Sequence, residues 1–419
     1  MIQVLRNLTY AKLFGAQVVA LIGSGLLTVA LGLLAFDIAG GDAGVVMGIA
    51  MSIKMVAYVA VSPIAAALVA RLPRKAVLIG ADLVRAAVAI SLPFVTEAWQ
   101  IYLLIFVMQS ASATFTPTFQ AVIPSVLPDE EDYTRALSLS RLAYDLESLI
   151  SPMLAAALLT LVSFHDLFAG TGIGFLGSAG LVLASRLPRF DAPAPARFLS
   201  RLTRGVRVFW RVPELRGLLG LDLVVATTTA MVLVNTVVLV QGQLNMAQSD
   251  VALMLAAYGA GSMLVALALP SVLERLPDRW VMLAGGITLP VLLLAAAGVI
   301  AGVDGGLQWL LLFALWALFG AASSTILTPS ARLLRRNSEE RDRPAVFAAQ
   351  FSLSHACFLV TYPLAGLLGS AIGLSWTALV LAALGVAGAL VAARTWRSGK
   401  STPSGRDDFA SRVPRRRAD

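Results

Sequence analysis

The sequence predicts an all-α polytopic membrane protein, with twelve transmembrane helices in two pseudo-repeated six-helix bundles. Three observations lead there. The chain has 419 residues, of which 58% are hydrophobic and 13% charged; a soluble domain is about a quarter charged, so most of this surface faces lipid. Twelve apolar runs each approach the about 20 residues a spanning helix needs. Short motifs also recur in the same order, 204 to 212 residues apart.

The first run follows the basic stretch "MIQVLRNLTYAKLF". It is too long for a signal-peptide core and lacks a small-residue cleavage site, so it reads as a retained first span. The spans fall at 13–36, 45–69, 76–95, 101–123, 136–162, 167–187, 217–240, 251–273, 280–301, 307–330, 345–370 and 375–393.

Charge sets the orientation. Of the 32 Lys and Arg, all but Lys54, Arg85 and Arg141 lie at the N-terminus, in the loops after spans 2, 4, 6, 8 and 10, or in the tail. The opposite loops carry Asp37, Asp42, Glu97, Asp166, Asp250 and Asp304 and no basic residue. The positive-inside rule puts the basic side, with both termini, in the cytoplasm. The net charge of +8 is then a matter of topology and implies no nucleic-acid partner.

The repeat divides the chain. "RLPRK" (71–75) returns as "RLPDR" (275–279), "TPTFQ" (116–120) as "TPSAR" (328–332), and Pro152 as Pro363. Parallel six-plus-six repeats are the pattern of transporters that rock two bundles about a central site. The division is an N-terminal bundle over 1–187, a cytoplasmic linker over 188–216, a C-terminal bundle over 217–394 and a basic tail over 395–419. Arg197, Arg201, Arg204 and Arg207 sit at helical spacing in the linker, forming a basic amphipathic helix suited to an anionic inner leaflet. The tail has no periodicity and reads as disordered.

No nucleotide-binding, zinc-protease or nucleophile-elbow motif is present, which argues against a pump or a hydrolase. A single cysteine, Cys357, and two histidines, His165 and His355, leave no Cys-based metal cluster. No cofactor is expected.

Charges inside spans cost about 2.5–3.5 kcal/mol each on insertion scales, and they usually face a bundle interior or a wet cavity. In "LSLSRLAYDLESLISP" (137–152), Arg141 and Asp145 are four residues apart and share one helix face, so they suit either a self-neutralising pair or a coupling pair. Glu147 points elsewhere and needs another partner. Lys54 is the deep charge of span 2, within reach of span 5 if the two share a cavity. His355 in span 11 is a further candidate for proton or substrate coupling. Met47, Met51 and Met55 form a stripe suited to packing, to a pliable drug-binding wall or to a soft metal. Gln109 and Thr116 in span 4, with Ser323 and Ser324 in span 10, either line a cavity or hold helices together. Arg71, Arg74, Lys75, Asp82, Arg85, Asp222, Glu274, Arg275 and Arg279 are read as a cytoplasmic gate.

These motifs resemble the major facilitator superfamily across all twelve spans. "AALVARLPRK" follows its pattern G-x-L-a-D-r-x-G-r-r at Arg71, Arg74 and Lys75, with Ala66 and Ala70 replacing the Gly and Asp; Glu274 keeps an acid at the second-half position. "ESLISPMLAA" resembles the antiporter pattern G-x-x-x-G-P-x-x-G-G, with Ser151, Pro152, Ala155 and Ala156 matching and Glu147 where a glycine is expected. "GVRVFWRVPELRGLL" resembles the linking segment of the twelve-span drug-exporter branch. "MIQVLRNLTYAKLF" and "DEEDYTRALSLSRLAYDLESLISPMLAAALLT" look closest to nickel-resistance exporters within it, although this tail lacks their histidines. The resemblance implies spans 2 and 11 meeting across the halves, and a monomer in a bacterial cytoplasmic membrane. It further implies proton-driven export, leading with nickel or a related divalent ion. The alternative cargo is a drug or siderophore, and a non-transporting sensor or scaffold is the reading from another class.

Overall fold

The structure, a computed structural model, describes residues 2–61, 72–187, 206–338 and 343–398. Arg71, the linker arginines 197, 201 and 204, and the tail beyond 398 lie outside the described residues, as do the side chains of Arg141 and Asp145.

Among the described residues, twelve helices match the twelve predicted spans in order: α1 (Leu8–Ala39), α2 (Ala43–Val56), α3 (Arg74–Ser91), α4 (Ala98–Val126), α5 (Glu130–Leu158), α6 (Phe164–Ala184), α7 (Pro213–Val237), α8 (Gln248–Leu273), α9 (Asp278–Gly302), α10 (Gly305–Arg336), α11 (Arg343–Ile372) and α12 (Leu374–Ser398). π-helical turns extend α2 to Val61 and α7 to Gln243. Of the described segments, ten are long and apolar enough to cross a membrane by composition. Leu8–Val61 counts there as one segment, and α5 falls short because of its polar stretch.

Local chemistry fixes the helix starts. The Asn7 side chain accepts from the Thr9 and Tyr10 amides at 3.0 and 3.2 Å, capping α1. Glu97 with Gln100, and Ser163 with Asp166, form capping boxes on α4 and α6. Two acids of the non-basic loops thus also satisfy helix N-termini, where negative charge is favoured.

Helices pair by one rule in both halves. α1 packs on α5 and α6, α3 on α4 and α6, and α2 on α4; six helices later, α7 packs on α11 and α12, α9 on α10 and α12, and α8 on α10. The halves meet through α2 against α11 and α5 against α8. "Outer" below denotes the side of the acidic loops. There the halves are sealed: a Cβ on Gly366 of α11 would stand 2.1 Å from the Gly44 carbonyl oxygen of α2, so the two backbones touch directly. Phe36 closes on Gly242 at the same level.

Candidate functional site

A cavity of about 240 Å³ is lined by α1–α6. Thr28, Lys54, Gln109, Glu147 and Phe175 on its wall each lie eleven residues from the outer end of their helix. At 1.5 Å per residue that is about 16 Å, near the middle of a hydrocarbon core of about 30 Å. Leu27, Leu31, Met51, Ile105, Met108 and Phe115 supply apolar wall between these groups. Tyr144, about one turn farther from the outer side than Glu147, also lines the cavity and is 41% exposed.

Among the described residues, three charged side chains face this space: Lys54, Arg85 and Glu147. Lys54 and Glu147 attract one another across it without closing into a direct ion pair. Glu147 lies against Gly25 of α1, where a Cβ would stand 2.6 Å from its Oε1. Ser140 donates to Gln17 at 2.9 Å in the same α1–α5 contact.

Arg85 is not the loop clamp that the gate reading made it. It lies six residues from the outer end of α3, bonded to fully buried Asp82. Its guanidinium is held between the rings of Phe115 and Phe175, at 4.2 and 4.5 Å from their centroids. Asp82 also accepts from Ser178 at 2.7 Å. A delocalised, weakly hydrated cation suits such an aromatic sandwich.

The other gate residues separate. Lys75 donates to the Ser185 carbonyl at 2.9 Å, and Lys12 to Ala184 at 2.8 Å, so two cations cap the C-terminus of α6 within one half. Asp222 is buried between α7 and α11, where it accepts from Gln350 at 2.8 Å rather than meeting an arginine. Glu274 and Arg275 are exposed. The second-half acid that gathers cations is Asp278 instead, with Arg332 and Arg336 of α10 each at 3.4 Å; Arg279 stands beside it in sequence. Asp278 lies within "RLPDR", one turn after Glu274, the acid that the repeat singles out.

Gln109 and Thr116 line the cavity. Ser323 and Ser324 do not: both are buried in helix packing, and Ser324 bonds Ser262 of α8 at 2.9 Å. His355 belongs to the second half but reaches the cavity's edge, with its ring 6.0 Å from that of Tyr58, a lining residue. Its Nδ1 donates to the Phe351 carbonyl at 2.6 Å, which leaves Nε2 as the exchangeable position. Tyr58, Phe115, Phe175 and Gly25 carried no signal in the sequence, because aromatics and glycines are common in any span. Among the described residues, no group of three or more His, Cys, Asp or Glu could hold a metal ion.

The Major Facilitator Superfamily model matches residues 13–240 and 218–417. Macrolide efflux protein A of Streptococcus pyogenes is 26% identical over 226 residues, 52% of this chain and 54% of that protein. Its Enterococcus faecalis namesake is 28% identical over 191 residues, 42% of this chain and 58% of that one. The chain spans about half the length of the curated relatives it matches. A bacterial homologue of the human lysosomal transporter Spinster, solved inward-facing and unoccupied, superposes with a TM-score of 0.75 at 14% identity, covering 95% of this chain and 99% of that one. A POT family transporter in complex with 5-aminolevulinic acid gives 0.73 at 10% identity, covering 93% and 96%. The chain belongs to the Major Facilitator Superfamily. It is an integral membrane protein of a transporter family, not an enzyme.

Proposed function

We propose that this member of the superfamily exports an amphiphilic, drug-sized organic solute by alternating access, driven by proton entry, from a bacterial cytoplasmic membrane with both termini inside. The observation that carries this reading is the mid-bilayer cavity: an apolar wall that holds both Lys54 and Glu147, with no direct ion pair between them, beneath an outer contact between the halves. Charges are kept at such depth when they bind or move something. Glu147 is the proton carrier, taking a proton when the cavity faces out and releasing it when the cavity faces in. Lys54 is the cation that senses which form is present. His355 completes the set from the second half, and Arg141 with Asp145 would stand near the inner mouth.

Size argues for both halves taking part. A cavity of about 240 Å³ is smaller than the about 300–1,000 Å³ usual for drug-sized ligands. The aromatic face of α11, Phe351 and His355 against Tyr58, supplies the missing wall. The likeness to macrolide efflux proteins favours an organic drug over nickel. The mixed lining of methionine, aromatic and small polar residues supports the same choice.

The deciding experiment expresses the chain in a sensitive host and compares growth and accumulation with macrolides, nickel and cobalt. Lower macrolide accumulation that collapses with the proton gradient is expected, with metal uptake unchanged. Glu147→Gln should insert normally, because it removes charge with little volume, and should lose gradient-driven export. Nickel tolerance without drug tolerance would reverse the cargo assignment. Flux indifferent to Lys54, Arg141 and Glu147 would favour a sensor.

A further inference from the structure

We propose that Ser151 is a positioning residue for Glu147, and that Gly25 opens the niche in which it acts. The Glu147 carboxyl then has two docks, one against Gly25 and Ser151 and one at Lys54, and movement between them is the coupling switch. The inference rests on Glu147 being the proton carrier.

The niche is built by contact between α1 and α5. A Cβ on residue 25 would stand 2.1 Å from Ser151 Cβ, 2.3 Å from Ser151 Oγ and 2.6 Å from Glu147 Oε1. Hydroxyl and carboxyl thus crowd one point, and only glycine leaves room for both. Ser151 is fully buried, yet its Oγ has no hydrogen-bond partner. A buried hydroxyl without a partner is costly. The Glu147 carboxyl, one helical turn away on the same face, is placed to supply one.

The two docks differ in what they favour. A serine hydroxyl both donates and accepts, so it can serve the carboxylate or the carboxylic acid. Lys54 rewards the carboxylate alone. Proton uptake therefore moves the side chain toward the niche and leaves Lys54 without its counter-charge, in a cavity that must then rearrange or fill. Among the described residues, the other titratable groups around Glu147 are Tyr58 on α2, Tyr144 on its own helix and Arg85 on α3, all on the cavity wall, with His355 of α11 at its edge. Tyr10, Lys12 and Asp37 lie toward the two ends of α1. α8, packed on α5 from the other half, carries Asp250 in its first turn and Tyr258 farther along.

The test needs no identified cargo. In the full chain with Cys357→Ser, Thr28→Cys places a thiol on the cavity wall, and its labelling by a membrane-impermeant maleimide, divided at each pH by that of the same thiol in the denatured chain to cancel thiolate ionisation, is followed from pH 5 to 8. Glu147→Gln should flatten the profile. Ser151→Ala should move its midpoint to lower pH by at least about half a unit, because weakening the niche leaves the Lys54 dock favoured. Gly25→Ala with Ser151→Gly, which removes the serine clash while filling the niche, should move it further the same way. If Glu147→Gln flattens the profile but both niche variants leave the midpoint unmoved, or raise it, the two-dock proposal falls and the carrier assignment stands. If Glu147→Gln changes nothing, the carrier assignment fails first.

Discussion

Arg85 shows how a residue's neighbours decide its role. On the sequence it reads as a gate group beside a basic loop, because its partner Asp82 is one turn nearer that loop. The structure puts its guanidinium between two rings that come from α4 and α6, which no local pattern could reveal. Glu147 was easier to find: an acid where the family pattern has glycine is conspicuous by itself. The Arg85–Asp82 pair gives a direct prediction. Arg85→Leu leaves a fully buried carboxylate uncompensated, and breaking such a pair costs about 3–5 kcal/mol. Asp82→Leu with Arg85→Leu removes both charges and should recover most of that loss. Thermal unfolding of the three purified proteins in detergent checks it. A double variant no more stable than Arg85→Leu alone would mean that the aromatic sandwich, not charge balance, dominates.

At the scale of elements, hydropathy found each of the twelve helices α1–α12, including α5, whose polar stretch makes it the least apolar of them. What it could not find was which helices touch closely. Gly44 and Gly366 are two small residues among many, yet their backbones form the outer seal between α2 and α11. A methyl on residue 366 has no room while that seal is closed and is unobstructed once the helices part. Overpacking costs about 1–3 kcal/mol, and Gly366→Ala should raise the outward-open population by about 5–150-fold. Labelling of the Thr28→Cys thiol from the outside, in the Cys357→Ser background, should speed up accordingly, while helical content stays unchanged. Unchanged labelling would place the seal elsewhere, with Phe36 and Gly242 the next contact to open.

For the whole molecule, the sequence carried the order of the helices well and cargo poorly, and physics explains both. Orientation is written redundantly, in every loop of one sign, whereas cargo is set by a few side chains whose mutual positions depend on six helices meeting. Of the two roles open to the polar residues of span 10, lining a cavity or holding helices together, Ser324 takes the second, with its hydroxyl on Ser262. Orientation itself remains open to a clean test. Ala43 begins α2, Gln100 sits in the capped first turn of α4, and Gly305 opens α10 with a φ of +69°. All three follow loops that hold acids and no basic residue. A reporter active only outside the cell should therefore work when fused after any of them. Lys75, Gly205 and Asn337 follow or lie within basic segments, which resist translocation, and fusions there should be silent. Activity in the second set would invert the molecule: the seal would then close the cytoplasmic side, and Glu147 would face outward in the state described.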